Sequence, residues 1–400
     1  MKKINFLSLL LLTTFSSSVF ALDLSKPLPN WIDASREKSD GRGPTLPTRA
    51  APPSGFHIPA EYEPISAVVI SWAAYTPMLT GIAQAVTGPG RAQLWGVAAP
   101  ASISGVPANK YSKINLPIDS VWVRDYGPFG ITGSGKPGIV DTIYRHYQYR
   151  RNDDAVPTGL GKAKNIATFA MPLILDGGNL MVDSKGTLFM TKRTYIWNSD
   201  KSQDQVDSLL KSYFGVKKIV TFDYSGYPGD PADGTGHIDM FQKLLNDHTV
   251  LISVAETEPF KTAGEKAVAW YKANKASDGQ NYTVLTVKGW QDGGTWYTYT
   301  NSLTVNGVAI IPSYSGKTEE EAAAKAAYEA AGFTVVPVNS DESITSGGSI
   351  HCTTQSIPGA PGKNVDLTAI PEFQDVNVTV PLAPLTNGNT TSVNQLLQGF

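Results

Sequence analysis

A single cysteine occurs in the 400 residues, and it ends the segment Gly347–Cys352 (Gly-Gly-Ser-Ile-His-Cys). A lone thiol cannot form a disulfide within its own chain, so it is buried and inert, paired with another molecule, or reactive. The double glycine lets the backbone approach a neighbouring group closely, and Thr353, Thr354 and Gln355 follow as hydrogen-bonding residues. Taken alone, a lone cysteine is more often a small buried hydrophobe. Four other polar residues favour a reactive thiol.

Those polar residues recur along the chain at similar intervals. Asp125, Asp176, His237, Asn301 and then Cys352 follow one another about 50 to 65 residues apart, each at the predicted start of an apolar strand. If the chain repeats one structural unit around an axis, equivalent positions of successive units face that axis. We therefore predict that these five side chains meet in one site.

Each candidate also has an ordinary structural explanation. Asp125 could pair with Arg124 or cap a turn, and Asn301 could hydrogen bond to loop backbone. His237 and Asp239 could form a structural hydrogen-bonded pair. A metal site at His237 is a weaker alternative, because no second His or Cys lies at ligand spacing nearby. Their coincidence at corresponding positions favours a common site.

A thiol, an imidazole, carboxylates and an amide suit one kind of ligand. Two buried carboxylates repel each other and take up protons unless a cation lies between them. A guanidinium is such a cation, and its N–H groups match carboxylates in bidentate pairs. Because a free thiol is only a few per cent ionised at neutral pH, the bound cation and a protonated imidazole would stabilise the thiolate. The set predicts attack by sulfur on a guanidinium carbon.

The elements that position these residues follow a repeated plan of strand, turn, strand, helix and strand. Asn306-Gly307 is the strongest hairpin signal, and weaker hairpins are predicted around Gly133–Gly135, Asp183–Gly186 and Asn246-Asp247. His237–Leu245 is predicted as the first strand of the hairpin at Asn246-Asp247.

Two helices follow the hairpins where the plan requires them. One is predicted over Asp204–Phe214, before Gly215, and another opens with the capping box Thr318–Glu321 and stops at Gly332. Units of ββαβ type recurring at roughly 50–60 residues predict an arrangement around an axis. An ordinary α/β sandwich with several hairpins is the alternative.

The ends of the chain predict export. Residues 1–21 carry two lysines, a short apolar run and a small-residue cleavage site, as in a secretory signal peptide, so the mature protein is expected to be secreted or periplasmic. Residues 22–54 are rich in proline and predict a linker or pro-segment, 55–374 a catalytic domain, and 375–400 a terminal strand and tail. The net charge of −2 argues against nucleic-acid binding, and nothing in the sequence indicates membrane attachment.

Five ordered motifs resemble those of the guanidino-group-modifying enzymes, particularly agmatine deiminases and the bacterial Porphyromonas-type peptidylarginine deiminases. The motifs are Trp122–Pro128, Asp176–Asn179, Gly236–Asp239, Asn301-Ser302 and Gly347–Cys352, with a further similar segment at Pro59–Pro64. The resemblance covers about residues 55–365 and implies an α/β protein of the pentein fold, a five-bladed α/β propeller of ββαβ pseudo-repeats.

The resemblance also implies roles for individual residues. Cys352 corresponds to the nucleophile, His237 to the general acid and base, Asp125 and Asp239 to the guanidinium-binding carboxylates, Asn301 to a residue that positions thiol or substrate, and Trp122 to a pocket wall. The implied reaction passes through a covalent thiouronium that water hydrolyses to a ureido product. No redox cofactor or catalytic metal is implied. Asp176, a predicted substrate-binding residue, stands where agmatine deiminases carry Glu.

The export signal favours arginine in peptides or proteins as the substrate. The segment Tyr144–Asp153 resembles a peptide-deiminase loop, and Arg145, Arg150 and Arg151 are predicted to hold a C-terminal carboxylate; a solvated basic loop is the plain alternative. We therefore expect deimination of C-terminal peptidyl-arginine to citrulline and ammonia.

Alternatives are an agmatine deiminase that gives N-carbamoylputrescine and a non-catalytic propeller that binds arginine-rich peptides. A papain-like protease is excluded, because Cys352 follows His237 and lacks the expected local motif.

Overall fold

The computed structural model describes residues 26–39, 41, 50–224, 226–227 and 230–361. The predicted signal peptide (1–21) and the predicted terminal strand and tail (375–400) lie outside the described residues. Among the helices of the described chain, none is both long and apolar enough to cross a lipid bilayer.

Twenty strands are present in the described structure. In chain order they are β1 Ile65–Ser71, β2 Gln93–Val97, β3 Tyr111–Ile114, β4 Phe129–Gly133, β5 Lys136–Ile143, β6 Thr168–Ile174, β7 Met181–Val182, β8 Thr187–Thr191, β9 Lys218–Phe222, β10 Gly226–Tyr227, β11 Asp230–Pro231, β12 Gln242–Asn246, β13 Thr249–Val254, β14 Thr283–Lys288, β15 Trp290–Asp292, β16 Thr295–Tyr297, β17 Leu303–Val305, β18 Val308–Ser313, β19 Thr334–Asn339 and β20 Thr354–Pro358.

Helices connect the strands. The α-helices are α1 Thr76–Thr87, α2 Val123–Tyr126, α3 Arg151–Asp154, α4 Val156–Lys164, α5 Arg193–Trp197, α6 Gln203–Phe214, α7 Phe260–Ala273, α8 Thr318–Ala330 and α9 Asp341–Ile344. Three short 3-10 helices cover Ala108–Lys110, Gly177–Asn179 and Ile238–Met240.

Five sheets of the described chain share one plan. Their strand orders are β4-β5-β6, β7-β8-β9, β12-β13-β14, β17-β18-β19 and β20-β1-β2-β3. In each, the first pair of strands is antiparallel and the second pair is parallel. A helical crossover joins the two parallel strands each time, as parallel pairing requires. The ββαβ repeat is therefore confirmed, whereas the arrangement of the sheets as blades around one axis stays a prediction.

The sheet β20-β1-β2-β3 pairs the last strand of the described chain with the first. All seven residues of β1 are buried, as expected for a strand paired on both sides and covered on both faces. Fully burying one large apolar side chain contributes about 1.5–3 kcal/mol, so the many buried residues of this sheet hold β20 firmly in place. Cys352 lies just before β20, and its position therefore depends on pairing with β1.

Helix α6 shows how local sequence sets an element. Ser202 and Gln205 form a capping box at its start, and Gly215 ends it at a φ of 64°. Val206 and Leu210 are buried from one face of the helix. The helix predicted over this segment is confirmed with its start shifted by one residue.

Two local predictions were wrong. The capping box at Thr318–Glu321 is not formed, since Thr318 is already helical and Lys317 holds the cap position without a side-chain bond. The Glu321 carboxylate instead accepts a hydrogen bond from the Ser313 hydroxyl at 2.5 Å. The strand predicted from His237 begins only at Gln242, because a 3-10 turn precedes it.

The spaced polar residues lie in turns rather than on strands. Asp125 lies in α2 before β4, Asp176 and His237 are the N-cap residues of 3-10 helices before β7 and β12, and Asn301 and Cys352 lie just before β17 and β20. Each turn precedes the first strand of its sheet. All five residues thus lie in the segment that precedes the first strand of a sheet, and the predicted location at strand starts is corrected by a few residues.

Candidate active site

Two glycines reveal how closely the predicted residues approach one another. A methyl group added at Gly178 would lie 2.5 Å from His237 Nδ1, 2.8 Å from Asp125 Oδ1 and 3.2 Å from Asp239 Oδ2. These distances are shorter than van der Waals contact, so only glycine fits among the three side chains. The Gly178 N–H donates to Asp125 Oδ1 at 3.0 Å. The imidazole and both carboxylates therefore surround one backbone position.

The second glycine lies beside the thiol. A methyl group at Gly348 would lie 2.8 Å from Cys352 Sγ and 2.7 Å from the Trp122 ring. Both side chains are fully buried. Gly348 thus leaves the space in which the indole lies beside the sulfur, and the role of Trp122 as a pocket wall stays a prediction.

Asn301 ties the thiol to a carboxylate. Its Nδ2 lies 3.1 Å from Cys352 Sγ and 3.1 Å from Asp239 Oδ2, and its Oδ1 accepts the Ser349 N–H at 3.0 Å. Cys352 Sγ lies 3.8 Å from Asp239 Oδ2. Burial, together with the negative charges of Asp239 and Asp125, raises the pKa of Cys352 well above its usual value. Without a cation in the site, sulfur is therefore held as the thiol.

His237 lies between two carboxylates. Its Nε2 is 3.1 Å from Asp176 Oδ2, and its Nδ1 is 3.5 Å from Asp125 Oδ1. Burial opposes charging of the imidazole, but Asp125 and Asp176 outweigh it and raise its pKa. His237 Nδ1 has no hydrogen-bond partner among the described residues. A protonated His237 can thus donate from Nδ1 to a ligand.

The carboxylates of Asp125 and Asp239 carry negative charge that a bound cation could neutralise. Burial, with repulsion from Asp176 and Asp239 and opposition from His237, raises the pKa of Asp125 to about 6. Asp239 Oδ1 is buried and has no hydrogen-bond partner within the described part of the chain. Unsatisfied buried carboxylate oxygens favour a cation that donates several N–H groups.

Asp176 is neutralised by the protein itself. Its Oδ2 lies 3.0 Å from Arg145 Nε and contacts His237 on the same oxygen. Burial opposes the effect, but Arg145 and then His237 lower the pKa of Asp176. This geometry suits a residue that orients His237, whereas substrate binding by Asp176 stays a prediction.

The three predicted carboxylate-binding arginines have different surroundings. Arg145 is brought to the site through Asp176. The guanidinium of Arg150 is buried against the carboxylate of Glu37, and that of Arg151 lies 4.9 Å from the centre of the Tyr147 ring. Of the three, Arg145 is thus the one that contacts a residue paired with His237.

A network that the sequence did not assign supports Asp239. His351 Nδ1 lies 2.6 Å from Asp239 Oδ2, and its Nε2 lies 2.7 Å from Glu61 Oε2. Arg124 and Lys243 both pair with Glu61. Burial opposes ionisation of Glu61, but Lys243, His351 and Arg124 hold its pKa well below the usual range. The signal was available, because Glu61 and His351 lie in motifs that carried the family resemblance.

A second unassigned group comes from the proline-rich segment. Residues Lys26–Ser39, called the N-terminal strap below, pack against the site. Asn30 is fully buried, and its Nδ2 donates to Asp125 Oδ2 at 2.9 Å. The Trp122 Nε1 donates to the Leu28 carbonyl at 2.9 Å. No sequence pattern indicated these contacts.

Five mixed sheets that present a thiol, an imidazole and paired carboxylates from equivalent turns define the class of guanidino-group-modifying enzymes. A family model described as Porphyromonas-type peptidyl-arginine deiminase matches residues 57–358. The chain belongs to this family, which confirms the resemblance.

Relatives and solved structures agree with this assignment. The chain is 25% identical over 369 residues to the agmatine deiminase of Medicago truncatula, covering 76% of this chain and 96% of that protein. The agmatine deiminase structure of Enterococcus faecalis matches with a TM-score of 0.68 and 19% identity, over 79% of this chain and 100% of that one. That of C. jejuni matches with a TM-score of 0.60 and 21% identity, over 76% and 97%.

These findings support a hydrolase of the deiminase type acting on an amidine C–N bond, with the α/β fold of the pentein enzymes. On substrate, the relatives named agmatine deiminase favour the alternative expectation over the main expectation of a peptidyl-arginine enzyme.

Proposed function

We propose that the protein is a cysteine-dependent deiminase that hydrolyses agmatine to N-carbamoylputrescine and ammonia. The observation that carries this proposal is the placement of Cys352 Sγ 3.8 Å from a carboxylate of the anionic set around Gly178. The relatives named agmatine deiminase, which match 61% to 76% of the chain, support this choice of small guanidino amine. Asp125 and Asp239 are proposed to bind the guanidinium, and His237 is proposed to transfer protons.

Binding of the guanidinium starts the first half-reaction. Its N–H groups donate to Asp125 and Asp239, which neutralises the charges that raise the pKa of Cys352. The thiol then releases its proton to solvent, and Sγ forms a bond to the central guanidinium carbon. The His237 imidazolium donates its proton to one amino group, the C–N bond breaks, and ammonia leaves. The product is a thiouronium on Cys352.

Water completes the second half-reaction. Neutral His237 takes one proton from water while the oxygen bonds to the thiouronium carbon. The C–S bond then breaks, and the hydroxyl proton returns to sulfur, which leaves a neutral ureido product. Cys352 ends as a thiol and His237 as an imidazolium, as at the start.

Arg145 and Arg193 favour a second candidate, C-terminal peptidyl-arginine. Their guanidinium carbons lie 4.9 Å and 5.3 Å from the centre of the Trp197 ring, and that ring lies edge-on to His237 at 5.9 Å. Two cations beside the site would repel the ammonium group of agmatine and attract a carboxylate. The description of the matched family supports the same candidate.

Ammonia release from three substrates separates the candidates. The substrates are agmatine, a peptide that ends in arginine and the same peptide with an amidated C-terminus. Agmatine is expected to turn over fastest, while turnover of the free-carboxylate peptide alone would establish the second candidate. Cys352→Ser is the control for every substrate. Binding without ammonia from any substrate would support a non-catalytic protein.

We also propose that the protein is exported and that the five sheets of shared plan are the blades of a propeller. The signal-like residues 1–21 support the first proposal, and the shared strand order of the five sheets supports the second. Mass spectrometry of the protein recovered from culture medium and periplasm would locate it and give its first residue.

A further inference from the structure

The N-terminal strap passes over the residues of the candidate active site. The Asn30 N–H donates to the Ser346 carbonyl at 2.7 Å, just before the Gly347–Cys352 motif. The Trp31 ring lies so close to Gly347 that a methyl group there would be 2.9 Å from it. The strap is therefore in direct contact with the segment that ends in the nucleophile.

Asn30 occupies a position that the substrate needs. Its Nδ2 donates to Asp125 Oδ2 at 2.9 Å, while Asp125 Oδ1 already accepts the Gly178 N–H. A carboxamide is planar and presents an NH2 group, as one arm of a guanidinium does. A guanidinium that donates to Asp125 Oδ2 must therefore displace the Asn30 side chain or share this oxygen with it.

The fit of the Asn30 amide is incomplete. Its Oδ1 is buried and has no hydrogen-bond partner among the described residues, and its backbone carbonyl receives only a long contact of 3.4 Å from Arg145. A guanidinium has donors alone and carries the charge that Asp125 and Asp239 favour. The substrate thus has an electrostatic advantage over Asn30 at the same carboxylate.

A second anchor holds the strap through charge. Arg150 donates from Nε and Nη2 to the Glu37 carboxylate at 2.8 and 2.7 Å, and from Nη2 to the Trp31 carbonyl at 2.7 Å. Both charged side chains are buried. Removing one partner of a buried pair leaves the other charge unsatisfied, so loss of Glu37 would loosen the strap.

The strap is also braced internally. Arg36 Nε lies 2.7 Å from Asp33 Oδ2, and the same guanidinium donates to the carbonyls of Lys26 and Pro27. These bonds fold the strap on itself between its two anchors. It therefore lies on the site as one preformed unit rather than as a loose tail.

We propose that the N-terminal strap is an intramolecular competitive inhibitor, with the Asn30 carboxamide in the guanidinium subsite and the Glu37–Arg150 ion pair as its anchor. The proposal rests on the proposed function, because it assigns the subsite of Asp125 to a guanidino substrate. Displacement of the strap gives the active state.

Substitutions in the full chain test the proposal by steady-state kinetics of ammonia release. Asn30→Ala and Glu37→Gln are each expected to lower KM about tenfold with little change in kcat. Ser39→Ala is the matched control, since the Ser39 hydroxyl contacts Gln148 at an exposed position of the strap. A higher KM in both variants would show instead that the strap closes over bound substrate, and an unchanged KM in both would also overturn the proposal.

Alkylation of the lone thiol gives a readout that needs no turnover. Cys352 is the only cysteine of the chain, so incorporation of iodoacetamide measured by mass spectrometry reports on this site alone. Asn30→Ala and Glu37→Gln are expected to speed alkylation about tenfold relative to Ser39→Ala. Faster alkylation with no deimination of any substrate would uphold the strap and reject the proposed function. Equal alkylation rates in all variants would reject the strap.

Discussion

His351 and Asp239 are joined by a short contact of 2.6 Å between Nδ1 and Oδ2. The other ring nitrogen of His351 is held by Glu61, whose charge is balanced by Arg124 and Lys243. A carboxylate held in this way keeps one orientation while the ligand binds. Asp239 Oδ1, which is buried without a hydrogen-bond partner among the described residues, is therefore held in place by His351 and the charged groups behind it.

Substituting His351 should weaken substrate binding through this support. His351→Gln is expected to raise KM for agmatine about tenfold, since Asp239 loses a buried hydrogen bond worth about 1.5–3 kcal/mol. The effect on kcat should be smaller, because Cys352 and His237 keep their own contacts. Thermal unfolding measured in parallel separates positioning from folding, and a fall in kcat with unchanged KM would contradict this role.

Replacing the sulfur should separate binding from chemistry. Cys352→Ser is expected to lower kcat by at least about 10³-fold, because a serine hydroxyl is a weak nucleophile without an adjacent base. Isothermal titration with agmatine should still detect binding, since Asp125 and Asp239 remain. Retention of the wild-type rate in this variant would reject the covalent mechanism.

The grouping of the polar residues could be predicted because a polar turn precedes the first strand of each of the five sheets. Asp125, His237 and Cys352 could be predicted to meet, since equivalent positions of repeated units converge. Asn30 could not, because its bond to Asp125 joins residues 95 positions apart and no repeat relates the strap to the sheets. Proline-rich composition predicts irregular structure and contains no information about what that structure covers.

A capping box forms at only one of two helix starts that carry its residues, because the backbone before the motif also matters. The capping box at Thr318–Glu321 had the right residues, yet the turn before it starts the helix at Thr318 itself. The similar box at Ser202 forms because Ser202 is extended and can reach the Gln205 N–H. Such differences depend on backbone conformation outside the motif, which the motif does not determine.

Gly178→Ala should disable the site without unfolding the protein. The added methyl group would lie 2.5 Å from His237 Nδ1 and 2.8 Å from Asp125 Oδ1, so both side chains must move. We expect kcat/KM to fall at least about 100-fold, because displacements of about 1 Å at reacting groups have such effects. Gly81→Ala is the control, as its new methyl group would meet only the Val338 side chain at 3.1 Å. Equal activity of the two variants would contradict the proposed arrangement.

The pH dependence of kcat/KM should have two limbs with separate origins. Asp125 must be ionised to bind a guanidinium, and its pKa is raised to about 6, so activity should fall as the pH decreases through about 6. His237 must be protonated to release ammonia, and Asp125 and Asp176 raise its pKa against the effect of burial, so activity should fall again as the pH rises past that pKa.

Asp176→Asn distinguishes the two limbs. Loss of this negative charge, 3.1 Å from His237 Nε2, lowers the pKa of the imidazole and should move the alkaline limb to lower pH by about one unit. The same change removes the repulsion that Asp176 exerts on the Asp125 carboxylate. The acidic limb should therefore move slightly to lower pH and not to higher pH. Rates of ammonia release between pH 4.5 and 9.5, on the order of ten points spaced evenly, would resolve both limbs. The Asp176 carboxylate contacts His237 Nε2 directly, so its loss must change the pKa of the imidazole. An alkaline limb that stays in place would therefore show that His237 is not the proton donor.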